Sequence, residues 1–442
     1  MIESIFKVMG EEELTTLEIR YHHKTDTFSM EAGKDWDEGT DFSRYNSAFT
    51  ADDFLTDNPI RCSETQIEMF MEKHGITSYF EEIKSMIRTG KHEAVKLFYN
   101  CKLGISFAMF EHNTVRGRRN RLHPLTCGGI RRHLWETPER EVFTDGLNLG
   151  RAMTFKNMAA QIPFGGSKIT VQAESLDLDN DEVLGFLGYA ADRCRIVTAP
   201  DMNLPPSISD SMNAKRISIN YVGGKNSKIG GTGKPTAYGV YLSLKQAVKF
   251  KEGTDSLKGK RILLIGLGAV GWNMAEYVLQ EGAALTITDI NSARIEEFLA
   301  AHKDTSIAVI DPAKALIEET DILCPCASGG LLDDTVIETL QCRYIWGSAN
   351  NQLKASSVDE EYRLARKLAD RGITYQAEWW HNTAGVICMA EEYIHDSTEE
   401  ALLRRVEEII PNATYENLTE ASALEITPTE NCYRKCEQVL YQ

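Results

Sequence analysis

The stretch that most constrains this chain is KGKRILLIGLGAVGWNMAEYVLQEGAALTITDI, residues 258–290. It reads as an apolar strand, a glycine turn, a helix and a second strand ending in an acid. Gly266, Gly268 and Gly271 fit the pattern GxGxxG. The first glycine permits a tight turn, the second lets the backbone approach a pyrophosphate, and the third lets helix and strand pack closely. The helix N-terminus then faces the phosphates. Asp289 closes the second strand, where a carboxylate accepts hydrogen bonds from the ribose hydroxyls of an adenosine. A glycine turn alone also serves packing, but strand, turn, helix, strand and acid in one register point to a dinucleotide. The acid favours NAD over NADP, because a 2'-phosphate would meet its negative charge. Arg294 tempers that preference slightly and reads best as an ordinary solvated helix residue.

Around such a motif an α/β domain with a doubly wound, Rossmann-type sheet is expected, and 442 residues leave room for a second domain. Lys and Arg total 48 against 65 Asp and Glu, a net charge of -17. That balance argues against binding nucleic acid or an anionic membrane. The opening MIESIFKVMGEEELTTLEIR lacks the basic start and apolar run of a secretion signal, and no later stretch is apolar enough to span a bilayer. A cytoplasmic protein is expected. Its ten cysteines then read as reduced core thiols. Neither Cys324 with Cys326 nor Cys432 with Cys436 has a second pair or a His at zinc-like spacing, so no metal is expected.

Residues 1–92, rich in acidic and aromatic side chains with an amphipathic helix in SETQIEMFMEKHGITSYFEEIKSMIRTG, carry no legible chemistry and read as an N-terminal extension. Residues 93–235 read as an α/β domain: strand-like VKLFYN and GISFAMFEH, a basic stretch RGRRNRLH best read as a solvated loop, then a helical pattern that stops at Pro163 and runs into FGGSKITV. The Gly, Lys and Asn-rich loop from 223 to 233 looks like a domain crossing. Residues 236–405 make the nucleotide domain, and 406–442 are expected to be helices packing back across the cleft.

Lys156 ends that helix and Lys168 follows Gly165 and Gly166, read as a glycine turn that leaves the lysine unshielded toward a ligand. Either lysine alone would be an ordinary surface residue. They belong, however, to an ordered set: CGGIR (127–131), MTFKNMAAQIPFGGSK (153–168), VTAPD (197–201), PTAYGVY (235–241), GLGAVG (266–271), TDIN (288–291), CPCASG (324–329), GSANNQL (347–353) and HNTAGVI (381–387). This set resembles the Glu/Leu/Phe/Val dehydrogenase family, most closely its leucine and phenylalanine branch.

The resemblance implies a reversible oxidative deamination of an L-α-amino acid to its 2-oxo acid and ammonia, with NAD as cofactor. Lys156 would bind the substrate carboxylate, helped by Asn382 and the backbone at Gly128 and Gly129. Lys168 would be the catalytic lysine and Asp201 the proton-shuttling acid. Thr236 and Asn350 would hold the nicotinamide carboxamide and ribose, and Cys326 belongs with these cofactor contacts. Cys127 and Met153 would line a pocket for an apolar side chain, branched or aromatic. The family's first domain implies a homo-oligomer, by default a dimer. A base near neutral pKa is a physical need of this chemistry, and desolvation together with a second ammonium at Lys156 would lower Lys168. Two other readings stay open: a dehydrogenase of the same plan for another amino acid in a specialised pathway, and a silent NAD-binding regulatory or scaffold protein, for which two lysines in one cleft have no chemical purpose.

Overall fold

A computed structural model describes residues 3–46, 54, 56, 59–355 and 357–441. The chain forms two units. One comprises Met1–Asn157, Pro163–Gly230 and Met389–Asp396; the other comprises Met158–Ile162, Gly231–Cys388 and Ser397–Gln442.

The first unit is built on eight strands: β1 (Thr16–His22), β2 (Thr27–Lys34), β3 (Ile60–Cys62), β4 (Ala94–Asn100), β5 (Ile105–Asn113), β6 (Thr126–Arg132), β7 (Gly165–Gln172) and β8 (Ile196–Pro200). Their order is β3-β2-β1-β4-β5-β7-β6-β8. All pairs from β3 to β7 are antiparallel, whereas β6 runs parallel to both β7 and β8. Every residue of β5 and β7 is buried, so these strands carry apolar side chains on both faces. On β5, Phe107 and Met109 join the core under the helix Asp181–Cys194, while Ala108 and Phe110 join the opposite core with Phe143 and Leu147 of the helix Glu139–Ala159. This alternation follows from the period of two along a strand.

Residues 1–92 do not stand apart as the expected extension. β1 pairs with β4 in register Thr16↔Phe98 to Arg20↔Ala94, which makes β1–β3 continuous with the sheet. The amphipathic segment divides into the helices Glu64–Lys73 and Thr77–Thr89, whose Ile67, Tyr79, Phe80 and Ile83 fill the same core as Phe110. The half-buried Glu139 carboxylate accepts from the Ser4 hydroxyl at 2.6 Å, the Ile5 amide at 2.7 Å and the Tyr79 hydroxyl at 3.1 Å. It thereby ties the N-terminal helix Ile5–Glu11 to the start of the helix that ends near Lys156.

The second unit holds five parallel strands, β9 (Arg261–Ile265), β10 (Ala284–Thr288), β11 (Ala308–Val309), β12 (Ile322–Pro325) and β13 (Tyr344–Ile345), in the order β11-β10-β9-β12-β13. This is the doubly wound arrangement in which the order reverses beside the first strand. Ile262 and Leu264 of β9 face one core, with Val240 and Leu244 of the helix Gly233–Glu252. Leu263 faces the other, with Leu364 and Leu368 of the helix Val358–Asp370.

The helices within residues 406–441 belong to this unit. The helix Glu399–Ala423 packs on the helix Gly233–Glu252, with Ser243 Oγ 2.8 Å from Thr414 Oγ1. No helix among the described residues is long and apolar enough to cross a membrane.

Candidate active site

In the first unit the chemistry gathers where β6, β7 and β8 lie side by side. Lys168 sits on β7, 4% exposed, and donates to the Asp201 carboxylate just beyond β8. Gly129 of β6 makes this approach possible: a Cβ there would lie 2.8 Å from Lys168 Nζ and 3.3 Å from Asp201 Cβ. At Gly128 a Cβ would come within 1.8 Å of the Ser167 carbonyl oxygen. Two glycines in mid-strand, ordinarily a cost to a sheet, are thus what lets the lysine cross to the carboxylate.

Gly165 and Gly166 have a different reason from the one the sequence suggested. They begin β7 and form no turn, and added Cβ atoms would meet the Asn113 carbonyl at 2.0 Å and the Thr154 amide at 2.1 Å. Neighbouring chain, including the helix that carries Met153 and Lys156, presses on them. Both of those side chains are half-buried. Cys127 on β6 is fully buried, its Sγ 3.9 Å from Met389 Sδ.

Three ionisable residues of this cluster escaped the sequence reading. Arg131 donates through Nε to Asp201 Oδ2 at 3.1 Å and through its other arm to Asp145 at 3.0 and 3.2 Å. His133 Nε2 lies 3.0 Å from the same Asp145 carboxylate. Burial pushes the Lys168 ammonium below the ordinary lysine value; Asp201 opposes this and Arg131 adds to it. Arg131 is thus a second cation that acts on Lys168. For Asp201, burial would raise the pKa, but Lys168 and Arg131 overcome it and hold the carboxyl well below the usual range.

In the second unit the glycine turn joins β9 to the helix Ala269–Gln280. Gly266 has φ +98°, a left-handed value, and a Cβ there would strike Ala327 at 2.7 Å. A Cβ at Gly271 would lie 1.9 Å from the Gly266 carbonyl oxygen. At Gly268, the N-cap, it would meet nothing within 4 Å. The turn is closed against protein at its first and third glycines and open at the second, which is the cradle a pyrophosphate needs. Asp289 follows β10 and accepts from the Leu267 amide at 2.6 Å and the Asn291 amide at 2.8 Å. Cys326 packs behind the turn, 3.2 Å from a Gly271 Cβ position. Thr236 lies in the first turn of the helix Gly233–Glu252.

Asn382, 6% exposed, donates through Nδ2 to the Ser348 carbonyl at 3.1 Å and to Asn350 Oδ1 at 2.9 Å. Its Oδ1 is buried without a hydrogen-bond partner. The Ser348 carbonyl accepts only, so it fixes the amide orientation and leaves an acceptor to be satisfied. Such an atom suits an N–H donor better than the carboxylate the resemblance suggested.

A buried lysine–carboxylate pair in one unit and a dinucleotide cradle in the other are the parts of a pyridine-nucleotide dehydrogenase. The model of the Glutamate/Leucine/Phenylalanine/Valine dehydrogenase family matches residues 227–439, and that of the Glu/Leu/Phe/Val dehydrogenase dimerisation domain matches 110–215. A leucine dehydrogenase of Thermoactinomyces intermedius is 35% identical over 288 residues, 64% of this chain and 75% of that protein. A phenylalanine dehydrogenase of Bacillus thermotolerans is 31% identical over 368 residues, 82% of this chain and 92% of that one. The crystal structure of L-tryptophan dehydrogenase from Nostoc punctiforme superposes with a TM-score of 0.66 at 26% identity, over 81% of this chain and 97% of that one. The chain belongs to the Glu/Leu/Phe/Val dehydrogenase family, and its relatives are amino-acid dehydrogenases.

Proposed function

We propose that this protein is an NAD-dependent L-amino-acid dehydrogenase acting on a substrate with an apolar side chain, branched or aromatic. The reaction converts amino acid, NAD and water to 2-oxo acid, ammonium, NADH and a proton, reversibly. The observation that carries this reading is the buried Lys168, joined to Asp201 and depressed in pKa beside Arg131.

A nicotinamide dinucleotide held by its pyrophosphate at the glycine turn would supply the two-electron acceptor for the hydride of the substrate Cα–H bond, which leaves the substrate as its iminium. Lys168 in its neutral form takes a proton from the water that attacks the iminium carbon. Burial makes that form accessible nearer to neutral pH than for a solvated lysine. Asp201, held as a carboxylate, accepts the proton of the carbinolamine hydroxyl and passes it to the nitrogen as the C–N bond breaks and ammonia leaves. Lys156 binds the substrate carboxylate, and the Gly128 and Gly129 backbone borders it; in the second unit the unpartnered Asn382 acceptor suits an N–H donor of a ligand. Cys127 and Met153 line the side-chain pocket, where two soft sulfurs favour apolar groups. Thr236, Asn350 and Cys326 complete the cofactor contacts. The match to a dimerisation domain supports a homodimer.

The test is a screen of the purified protein against the twenty L-amino acids with NAD and with NADP, following absorbance of the reduced nicotinamide. The reading expects turnover of apolar amino acids with NAD. A folded protein that binds NADH yet turns over no amino acid would refute it.

A further inference from the structure

The adenosine end of the cofactor site carries a cation as well as an acid. Arg294, five residues after Asp289, is not the freely solvated helix residue its sequence position suggests. Its guanidinium lies 4.7 Å from the centre of the Trp272 ring and donates to the Leu267 carbonyl from Nε at 3.3 Å and from a terminal nitrogen at 3.0 Å. Leu267 is the residue between Gly266 and Gly268, and its amide donates to Asp289. The carboxylate and the guanidinium therefore hold the two polar groups of one residue in the glycine turn. The remaining arm of Arg294 faces Glu297 at 2.6 Å, with 61% of the Glu297 side chain exposed. An exposed pair of this kind is worth little and exchanges readily for a stronger anion.

A ribose with a free 2'-hydroxyl donates to Asp289. A 2'-phosphate, carrying nearly two negative charges, is repelled by Asp289 but matches the fork of an arginine, whose orientation here is set in advance by the Trp272 face and the Leu267 carbonyl. We propose that Arg294 is a second cofactor-specificity residue, a pre-positioned 2'-phosphate ligand that Asp289 holds in check. The inference rests on the reading of this turn as a dinucleotide site. It follows that the preference for NAD is set by Asp289 alone, and that removing this one carboxylate uncovers an NADP site already built.

The test is calorimetric titration of NADH and NADPH into the wild type, Asp289→Ser, Arg294→Gln and the double variant. Asp289→Ser is expected to tighten NADPH by roughly tenfold or more, the scale of a charge-assisted hydrogen bond, and Arg294→Gln in that background is expected to abolish the gain. In the wild-type background Arg294→Gln is expected to weaken NADPH more than NADH. A double variant that binds NADPH as tightly as Asp289→Ser, with NADH still bound, overturns the role of Arg294. Binding of neither dinucleotide to the wild type overturns the cofactor reading itself. Titration with adenosine 2',5'-bisphosphate isolates the phosphate contact, and its affinity should follow the same order.

Discussion

The two units solve their chemical tasks by opposite means. In the first, charged side chains are carried into the core: Lys168 is 4% exposed, and Arg131 bridges Asp201 and Asp145 around it. In the second, the nucleotide turn works through backbone, with Gly266 supplying a left-handed φ and Gly268 an unobstructed approach. Charged groups there lie nearer the surface, at Asp289 and Arg294. A proton-transfer group must have its pKa moved, which requires burial among other charges. A phosphate site needs only donors aimed outward at a helix N-terminus. The first unit should therefore be sensitive to charge and distance, the second to steric bulk and surface charge.

The largest effect expected from this contrast is on turnover. Lys168→Ala should lower kcat by roughly 10²–10⁴-fold, the range for a general base, while the NADH dissociation constant stays close to wild type. Loss of cofactor binding in that variant would break the division of labour. Next, Gly129→Ala places a methyl 2.8 Å from Lys168 Nζ. It should cost roughly 10²-fold in kcat through misplacement alone, with an unchanged circular dichroism spectrum. Lys156→Ala should instead act chiefly on KM for the amino acid. A smaller change is expected for Arg131→Gln. Removing that cation lets the Lys168 pKa rise, so the pH limb for its deprotonation should move upward.

The smallest expected effect touches stability. His92 and His112 are buried 5.0 Å apart between ring centres, and burial pushes His92 down to about 4 and His112 well below its usual value. His112 Nδ1 lies 2.8 Å from Thr154 Oγ1 on the helix bearing Lys156. Below pH ~6.5 the unfolded chain takes up protons that the folded chain refuses, so stability falls as pH drops toward about 4. For His92 alone the loss at pH 5 is about 2 kcal/mol. Urea midpoints at pH 7 and pH 5 should differ accordingly, and less so in His92→Leu.

What could be read from the chain before folding divides along the same line. The nucleotide unit was legible because its turn, helix, second strand and acid are contiguous, and each glycine has a local reason. Lys168 and Asp201 were reached through motif order. Arg131 was passed over even though it lies inside a quoted segment, because its partners stand 14 and 70 residues away and nothing local announces them. The function of the Gly165–Gly166 pair was misjudged for the same reason, since what fills the space beside it comes from Asn113 and Thr154. Residues 1–92 did hold a usable signal: Leu17, Ile19 and Tyr21 alternate as the buried face of β1. Its register with β4, across more than seventy residues, is not a local property.

Lys168 is proposed to work as a base because burial and Arg131 lower its pKa. The direct measurement is the pH profile of kcat for the preferred amino acid, recorded for wild type and Lys168→Ala. A limb is expected in the wild type, rising with pH and centred below the ordinary lysine value of about 10.4, that is absent from the residual activity of Lys168→Ala. A limb at or above the ordinary lysine value, or the same limb in both proteins, would contradict it.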